Sequence, residues 1–121
     1  MNLKDCYEAM GGSYDEVISR LRSERLVQKF VLKFLEDGSY DLLCKSVEEG
    51  NCEEAFRAAH TIKGVCQNLS ITKLQTSSTA LAEALRGGSW SEDSPALIEQ
   101  VKADYQETVA VIRAFQEASA G

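Results

Sequence analysis

The chain contains one histidine, His60, and three residues at helical spacing beside it could support chemistry. Lys63, Gly64 and Gln67 follow at i+3, i+4 and i+7, positions that share one face of an α-helix. The same stretch carries an apolar stripe, which predicts the buried side of the helix: Cys52, Ala55, Ala59, Ile62, Cys66 and Leu69. At about 100° per residue, His60 points roughly 130° away from the centre of this stripe. We therefore expect the histidine to face solvent.

An exposed imidazole beside cationic and amide donors suits nucleophilic attack on a group that carries negative charge. A histidine attacks through a neutral ring nitrogen, and exposed imidazoles are largely neutral at cytosolic pH. Lys63 offers a positive charge and three N–H donors to an anion on that nitrogen, and Gln67 offers an amide N–H. A phosphoryl group fits these donors, but the spacing alone does not name the group that is transferred.

Two further residues, together with Gly64, predict that another protein docks on this face. Glu53 and Phe56 precede His60 at i−7 and i−4, and Phe56 supplies apolar contact area on an otherwise polar surface. Glycine costs a helix interior about 1 kcal/mol relative to alanine, so its presence requires a reason. We interpret Gly64 as a position where the backbone of a partner approaches closely.

These residues also have explanations that involve no chemistry. Taken alone, an exposed histidine or lysine is an ordinary member of a solvated helix face. The four cysteines are irregularly spaced and include no C-x-x-C pair, and a chain with one histidine gives little support to a zinc site. We predict no bound metal and interpret the cysteines as small apolar side chains.

Cap signals and apolar spacing predict helices along most of the chain, one of which runs from about Cys52 to Leu69. The predicted N-caps are Asn2, Ser13, Asn51, Ser70 and Ser94. Glycines predict helix ends at Gly11-Gly12, Gly50 and Gly87-Gly88. The apolar stripe from Leu26 to Val47 passes through Asp37-Gly38-Ser39 and fits either one kinked helix or two short ones.

This pattern predicts an all-α fold, an antiparallel four-helix bundle with extra short N-terminal helices packed across one end. No strand pattern competes with it. The length fits one domain, which we assign to residues 1–121. We expect the single tryptophan, Trp90, to fold back over the core as a lid.

Composition excludes several classes of protein. The net charge is −6, which argues against nucleic acid as a partner because phosphate backbones require basic surfaces. The first residues lack the basic and apolar segments of a secretory signal, and no apolar run has the length of a membrane span. We therefore expect a cytoplasmic protein that does not bind membranes.

The segment Ala58-Ala59-His60-Thr61-Ile62-Lys63-Gly64, which continues to Leu69, resembles the A-H-x-L-K-G-x(4)-L-G signature of the histidine-containing phosphotransfer (HPt) domain family. The resemblance is specific over about Phe30 to Arg86. Two positions depart from the family pattern. Ser70 replaces the glycine that follows the leucine, and Ala82 stands where the next helix often carries a glutamate.

The resemblance implies a helical bundle that shuttles phosphoryl groups between aspartates of receiver domains. His60 matches the phospho-accepting position, and Lys63 and Gln67 would steady the phosphoryl oxygens. The partners would be receiver domains of response regulators or hybrid sensor kinases, and Mg²⁺ would belong to the receiver, so the chain itself would need no cofactor. No Walker A motif or kinase glycine loop is present, so we expect a monomeric phosphoryl carrier without ATP-binding or autokinase activity.

Two alternatives come from related protein classes. The phospho-acceptor domain of a sensor kinase typically has an acidic residue directly after its histidine, where this chain has Thr61. A non-catalytic helical bundle that docks receiver domains without being phosphorylated has no need of the histidine, which is present here.

Overall fold

Seven helices form the fold in a computed structural model that describes residues 1–120. In chain order they are α1 (Leu3–Ala9), α2 (Tyr14–Leu21), α3 (Glu24–Phe34), α4 (Ser39–Glu48), α5 (Cys52–Leu69), α6 (Thr72–Leu85) and α7 (Ser94–Ala120). No strand occurs in these 120 residues, and the predicted all-α class is confirmed. The assignment of one domain to residues 1–121 stays a prediction, and Gly121 lies outside the described residues.

Three of the predicted N-cap residues cap a helix through their side chains. The Asn2 side chain accepts a hydrogen bond from the Asp5 backbone N–H at 2.8 Å, and the Asp5 carboxylate accepts one in return. Asn51 caps α5 in the same way by accepting from the Glu54 N–H at 3.1 Å. Ser13 caps α2. These bonds satisfy N–H groups that the first turn of a helix leaves unpaired.

The apolar stripe from Leu26 to Val47 forms two helices, which resolves the alternative left open by the sequence. The chain leaves α3 at Phe34 and starts α4 at Ser39, whose N–H donates to the Asp37 carboxylate at 2.9 Å. Gly50 then ends this part of the fold with a φ of +68°, a conformation that glycine adopts without steric cost.

Ser70 does not begin α6, so the predicted N-cap at this position is wrong. The residue is the C-cap of α5, with a φ of +55°, and the residue that caps α6 is Ile71. The Ser70 carbonyl accepts a hydrogen bond from the Ser13 backbone N–H at 2.9 Å, which ties the turn to the start of α2. A two-residue link between helices needs one left-handed residue, and serine here adopts the conformation that the family's glycine adopts easily.

The start of α7 lies one residue earlier than predicted. Ser94 is the first residue of the helix, and the Leu97 N–H donates to the carbonyl of Asp93 at 3.1 Å. The Ser94 hydroxyl accepts a hydrogen bond from the Ser91 N–H at 2.9 Å, so it orders the preceding loop and does not cap the helix.

Trp90 is not a lid over the core. The side chain remains 39% exposed and lies beside a surface groove whose apolar lining includes Val47, Pro95 and Ile98. The loop that carries it contains two glycines with positive φ, Gly87 and Gly88, and this loop holds the indole at the end of the helices.

Helix α5 lies at the centre of the packing. It contacts α4 and α6 along its length, and α6 in turn packs against α7. Every residue of the predicted stripe from Cys52 to Leu69 is buried, which confirms the buried side of this helix.

Burial raises the pKa of the Cys66 thiol to about 12, so this sulfur remains a neutral apolar group at neutral pH. The antiparallel four-helix arrangement stays a prediction.

None of the helices within residues 1–120 combines the length and the apolar composition that a membrane span requires.

Candidate functional site

Helix α5 presents His60 to solvent, as the sequence predicts. The imidazole belongs to the exposed face, whereas Ala59 before it and Ile62 after it are buried. Lys63 and Gly64, one turn further along, are half-buried. The opposite side of the helix therefore anchors it in the core and leaves the histidine free to react.

Phe56 lies directly against the histidine. The centroids of the two rings are 5.9 Å apart and the ring planes differ by 28°, a stacked arrangement. Phe56 is half-buried, so its position is fixed by the fold. The phenyl ring restricts the imidazole on one side and contributes apolar surface next to the reactive group.

Two charged residues at the C-terminal end of α6, the helical residue Glu83 and the C-cap residue Arg86, complete this side of the site, and neither was predicted from the sequence. The Arg86 guanidinium lies over the Phe56 ring, with its central carbon 5.7 Å from the ring centroid. It forms two hydrogen bonds with the Glu83 carboxylate, at 2.6 and 3.3 Å. Because only Ser70 and Ile71 separate α5 from α6, residues at equal distances from that turn lie side by side. Counting outward from the turn would have placed Glu83 and Arg86 near Phe56 and His60.

The pKa of Glu83 reports the charges around the site. It lies below its usual value mainly because the carboxylate accepts hydrogen bonds from Arg86 and is close to that positive charge. The charge of Lys63 lowers the pKa of Glu83 further. Arg86 therefore balances the charge of Glu83 beside the Phe56 ring that stacks on the imidazole.

Gly64 has open space where a side chain would begin. A Cβ atom built on this residue would meet no other atom within 4 Å, and its φ is the negative value of an ordinary helix. Neither packing within the chain nor backbone conformation therefore requires glycine here. The contrast is Gly12, where a Cβ atom would lie 2.7 Å from the Ser70 carbonyl oxygen.

Glu53 and Gln67 mark the two ends of the exposed face. Each lies two turns from His60, a rise of about 10 Å along the helix. Glu53 lines a shallow depression with Phe56 and the loop glycine Gly88. Gln67 is exposed near the end of α5. The structure thus brings Phe56 and His60 into contact, places Lys63 close by, and separates Gln67 and Glu53 from the imidazole.

The C-terminal end of α5 is held rigidly by the N-terminal helices. The Arg20 guanidinium donates to the carbonyls of Gln67 and Asn68 at 3.0 and 2.8 Å. The buried Tyr7 hydroxyl donates to the Leu69 carbonyl at 2.7 Å. These bonds satisfy carbonyls that the last turn of a helix leaves unpaired, so the exposed face rests on a fixed support.

Within residues 1–120, no group of three or more histidine, cysteine or acidic side chains is arranged to hold a metal ion. The prediction that the chain binds no metal is not decided by this observation and stays a prediction.

Comparison with known protein families identifies the chain. The sequence model of the Hpt domain family matches residues 15–111. The chain belongs to the Hpt domain family. Comparisons with curated proteins and with solved structures found no match.

Membership of this family establishes the general role. Hpt domains are helical phosphotransfer modules of two-component phosphorelays, and they interact with receiver domains. They are generally not kinases that use ATP. The matched region contains all of α3 to α6, and with them His60 and every other residue described around it.

Proposed function

We propose that this Hpt domain accepts a phosphoryl group on His60 from the aspartyl phosphate of one receiver domain and passes it to the aspartate of another. The observation that carries the proposal is the position of the single histidine, exposed on a rigid helix within the matched region, with two cations close by. The chain acts in this proposal as a monomeric carrier in the cytoplasm.

The proposed step is a direct displacement at phosphorus. The lone pair of a neutral His60 ring nitrogen forms the new nitrogen–phosphorus bond as the bond between phosphorus and the aspartate oxygen breaks. The aspartate leaves as a carboxylate and takes the electron pair. The imidazole retains the proton on its other nitrogen, which exchanges with solvent once the phosphoryl group is in place. Return of the group to a second aspartate reverses these changes.

Lys63 and Arg86 supply positive charge to the phosphoryl oxygens in this proposal. Lys63 lies one turn from His60, and its charge already acts on Glu83 across the site. Arg86 is positioned by its two bonds to Glu83 and by the Phe56 ring. The predicted role of Gln67 as a phosphoryl donor stays a prediction, since its two-turn separation places it farther from the imidazole than Lys63.

The receiver docks over Gly64, Phe56 and Glu53 in this proposal. The open space at Gly64 lets the partner's backbone approach the imidazole, and the Phe56 ring gives the interface an apolar centre. Mg²⁺ is bound by the receiver and not by this chain. The partners are receiver domains of response regulators or of hybrid sensor kinases.

Phosphoryl exchange tests the proposal directly. A panel of receiver domains is labelled with radioactive phosphate and incubated separately with the purified chain. We expect at least one receiver to lose label to the chain, and an unlabelled second receiver to recover it. If receivers bind the chain but no label ever reaches it, the chain is instead a non-catalytic bundle that docks receivers.

Replacing Lys63 by alanine should slow phosphoryl transfer. Charge-assisted contacts contribute about 1.5–3 kcal/mol when they form, which corresponds to a loss of about tenfold to a hundredfold in transfer rate. Thermal stability should change little, because the side chain is half exposed and forms no salt bridge within residues 1–120. Rapid-quench measurement of label transfer gives the rate.

Lys45→Ala is the matched control, since Lys45 is an exposed lysine on α4. Equal transfer rates for the two alanine variants would show that Lys63 is only a solvated charge.

A further inference from the structure

Charge is distributed very unevenly along the chain. Residues 20–33 contain five of the thirteen basic residues and a single acid, Glu24. This segment therefore carries a net charge of +4 within a chain whose total is −6, which leaves −10 for the rest. It covers the end of α2 and nearly all of α3.

The cations of α3 are exposed and lack acidic partners. Arg25, Lys29 and Lys33 all face solvent, and none of them forms a salt bridge within residues 1–120. Five of the other basic residues do pair with carboxylates: Arg20, Arg57, Lys73, Arg86 and Lys102. The positive charge of α3 is therefore available to another molecule.

An apolar groove lies beside Phe30 of the same helix. Phe30 is 38% exposed, although it lies on the same helix as the buried Val27 and Val31. Together with Leu21 and Val65 it lines a groove of about 290 Å³. Lys29 is adjacent to Phe30 in the chain, and Lys33 lies one turn further on the same side of the helix.

The groove lies about one to two helical turns from the histidine along α5. Val65 and Asn68, which line it from α5, follow His60 by five and eight residues. At about 100° per residue, they are turned from His60 in the direction opposite to Phe56 and Lys63. His60 is therefore situated between the charged residues of α6 and the basic, apolar surface of α3.

We propose that the α3 surface, defined by Lys29, Phe30 and Lys33, binds the acidic region around the phosphorylated aspartate of a receiver domain, with an apolar receiver side chain in the groove beside Phe30. The proposal rests on the function proposed above. It specifies the surface that binds the receiver and the interactions, electrostatic and apolar, that bind it.

Charge complementarity supports this choice of partner. A protein site that holds Mg²⁺ next to an acyl phosphate uses carboxylate ligands and carries the charge of the phosphoryl group, so its surroundings are acidic. A chain with a net charge of −6 repels such a surface at long range unless a local positive region faces it. The α3 surface is that region, and its charge would orient the receiver so that its aspartate meets His60.

A charge-reversal experiment tests the α3 surface. The variant K29E/K33E changes the net charge by the same amount as K4E/R113E, whose residues are exposed on α1 and α7. The probe is a receiver that exchanges phosphate with the unaltered chain. At low ionic strength we expect K29E/K33E to lower the second-order rate constant of transfer by at least about tenfold, and K4E/R113E by less than about twofold.

Salt provides the second measurement. The difference between K29E/K33E and the unaltered chain should shrink as NaCl rises from about 0.02 to 0.5 M, because screening shortens the range of the interaction. Phe30→Ala should reduce transfer by about tenfold at every salt concentration, since it removes apolar contact area and no charge. Equal losses for the two charge-reversal pairs, or a loss for K29E/K33E that does not respond to salt, would overturn the proposal.

Direct labelling with phosphoramidate separates failure of this inference from failure of the proposed function. This small donor needs no protein docking, so every variant should be labelled on His60 at the rate of the unaltered chain. Circular dichroism shows that each variant is folded. Normal labelling together with unaffected receiver transfer in K29E/K33E would refute the α3 surface alone. Absence of labelling in the unaltered chain would refute His60 as the acceptor.

Discussion

His60→Gln should abolish phosphorylation of this chain completely. The sequence contains no second histidine, so no other imidazole can replace the lost nucleophile. The phosphorylated, unaltered chain should lose its label in acid and retain it in alkali, as expected for phosphorus bound to nitrogen. Label measured by scintillation after acid and alkaline treatment distinguishes this linkage from an acyl phosphate, which is labile to alkali.

The fold should survive this substitution. The imidazole is exposed and its main contact is the Phe56 ring, so we expect the free energy of unfolding to change by less than about 0.5 kcal/mol. Circular dichroism and the melting temperature provide the control. If a folded His60→Gln protein still accepts label, His60 is not the phospho-acceptor.

The centre of the site could be predicted from the sequence because a single helix contains it. Regular spacing determines which residues of α5 share a face, so the apolar stripe from Cys52 to Leu69 indicated both the buried side and the exposed position of His60. The structure confirms both. Local rules sufficed because each relation lies within two helical turns.

The α6 side of the site could not be found in this way. Arg86 reaches the Phe56 ring, and pairs there with Glu83, only because α6 folds back along α5. Their placement depends on the left-handed turn at Ser70, which was itself predicted as the N-cap of the next helix. These contacts depend on how two helices pack across the turn, which the spacing of residues within one helix does not report.

The conformation of Ser70 also depends on distant residues. Its hydroxyl accepts a hydrogen bond from Arg20 at 2.9 Å and lies 3.1 Å from the Glu16 carboxylate, residues some fifty positions earlier in the chain. A serine at this position fits an N-cap equally well when only its neighbours in sequence are considered. The tertiary bonds select the left-handed form, and no local signal reports them.

Helix α5 is rigidly packed on its buried side but contains a helix-destabilising residue, Gly64, on its exposed face. Arg20 and Tyr7 fix its C-terminal carbonyls, and its buried side is packed along the whole length. Against this rigid support, Gly64 is the one position where α5 gives up helix stability without a packing reason. A stabilising substitution is therefore available at Gly64, and the proposed docking of a partner over this face predicts that it would impair function.

Gly64→Gln should separate stability from function. The built Cβ atom meets nothing within 4 Å, so glutamine should fit the isolated chain and raise its stability by roughly 0.5–1 kcal/mol. The longer side chain should project into the surface where the receiver approaches His60. A displacement of the reacting groups by about 1 Å can cost on the order of a hundredfold in rate, and we expect a loss of this size in transfer from a phosphorylated receiver.

Two comparisons isolate the cause of that loss. Ala110→Gln adds the same side chain to an exposed position on α7, and its receiver-dependent transfer should match that of the unaltered chain. Labelling of Gly64→Gln by phosphoramidate should stay within about threefold of normal, because a small donor does not need the space that a protein backbone occupies. A stable Gly64→Gln protein that takes phosphate from its receiver at the normal rate would show that the partner does not approach over this face, and the glycine would then be a residue that the helix merely tolerates.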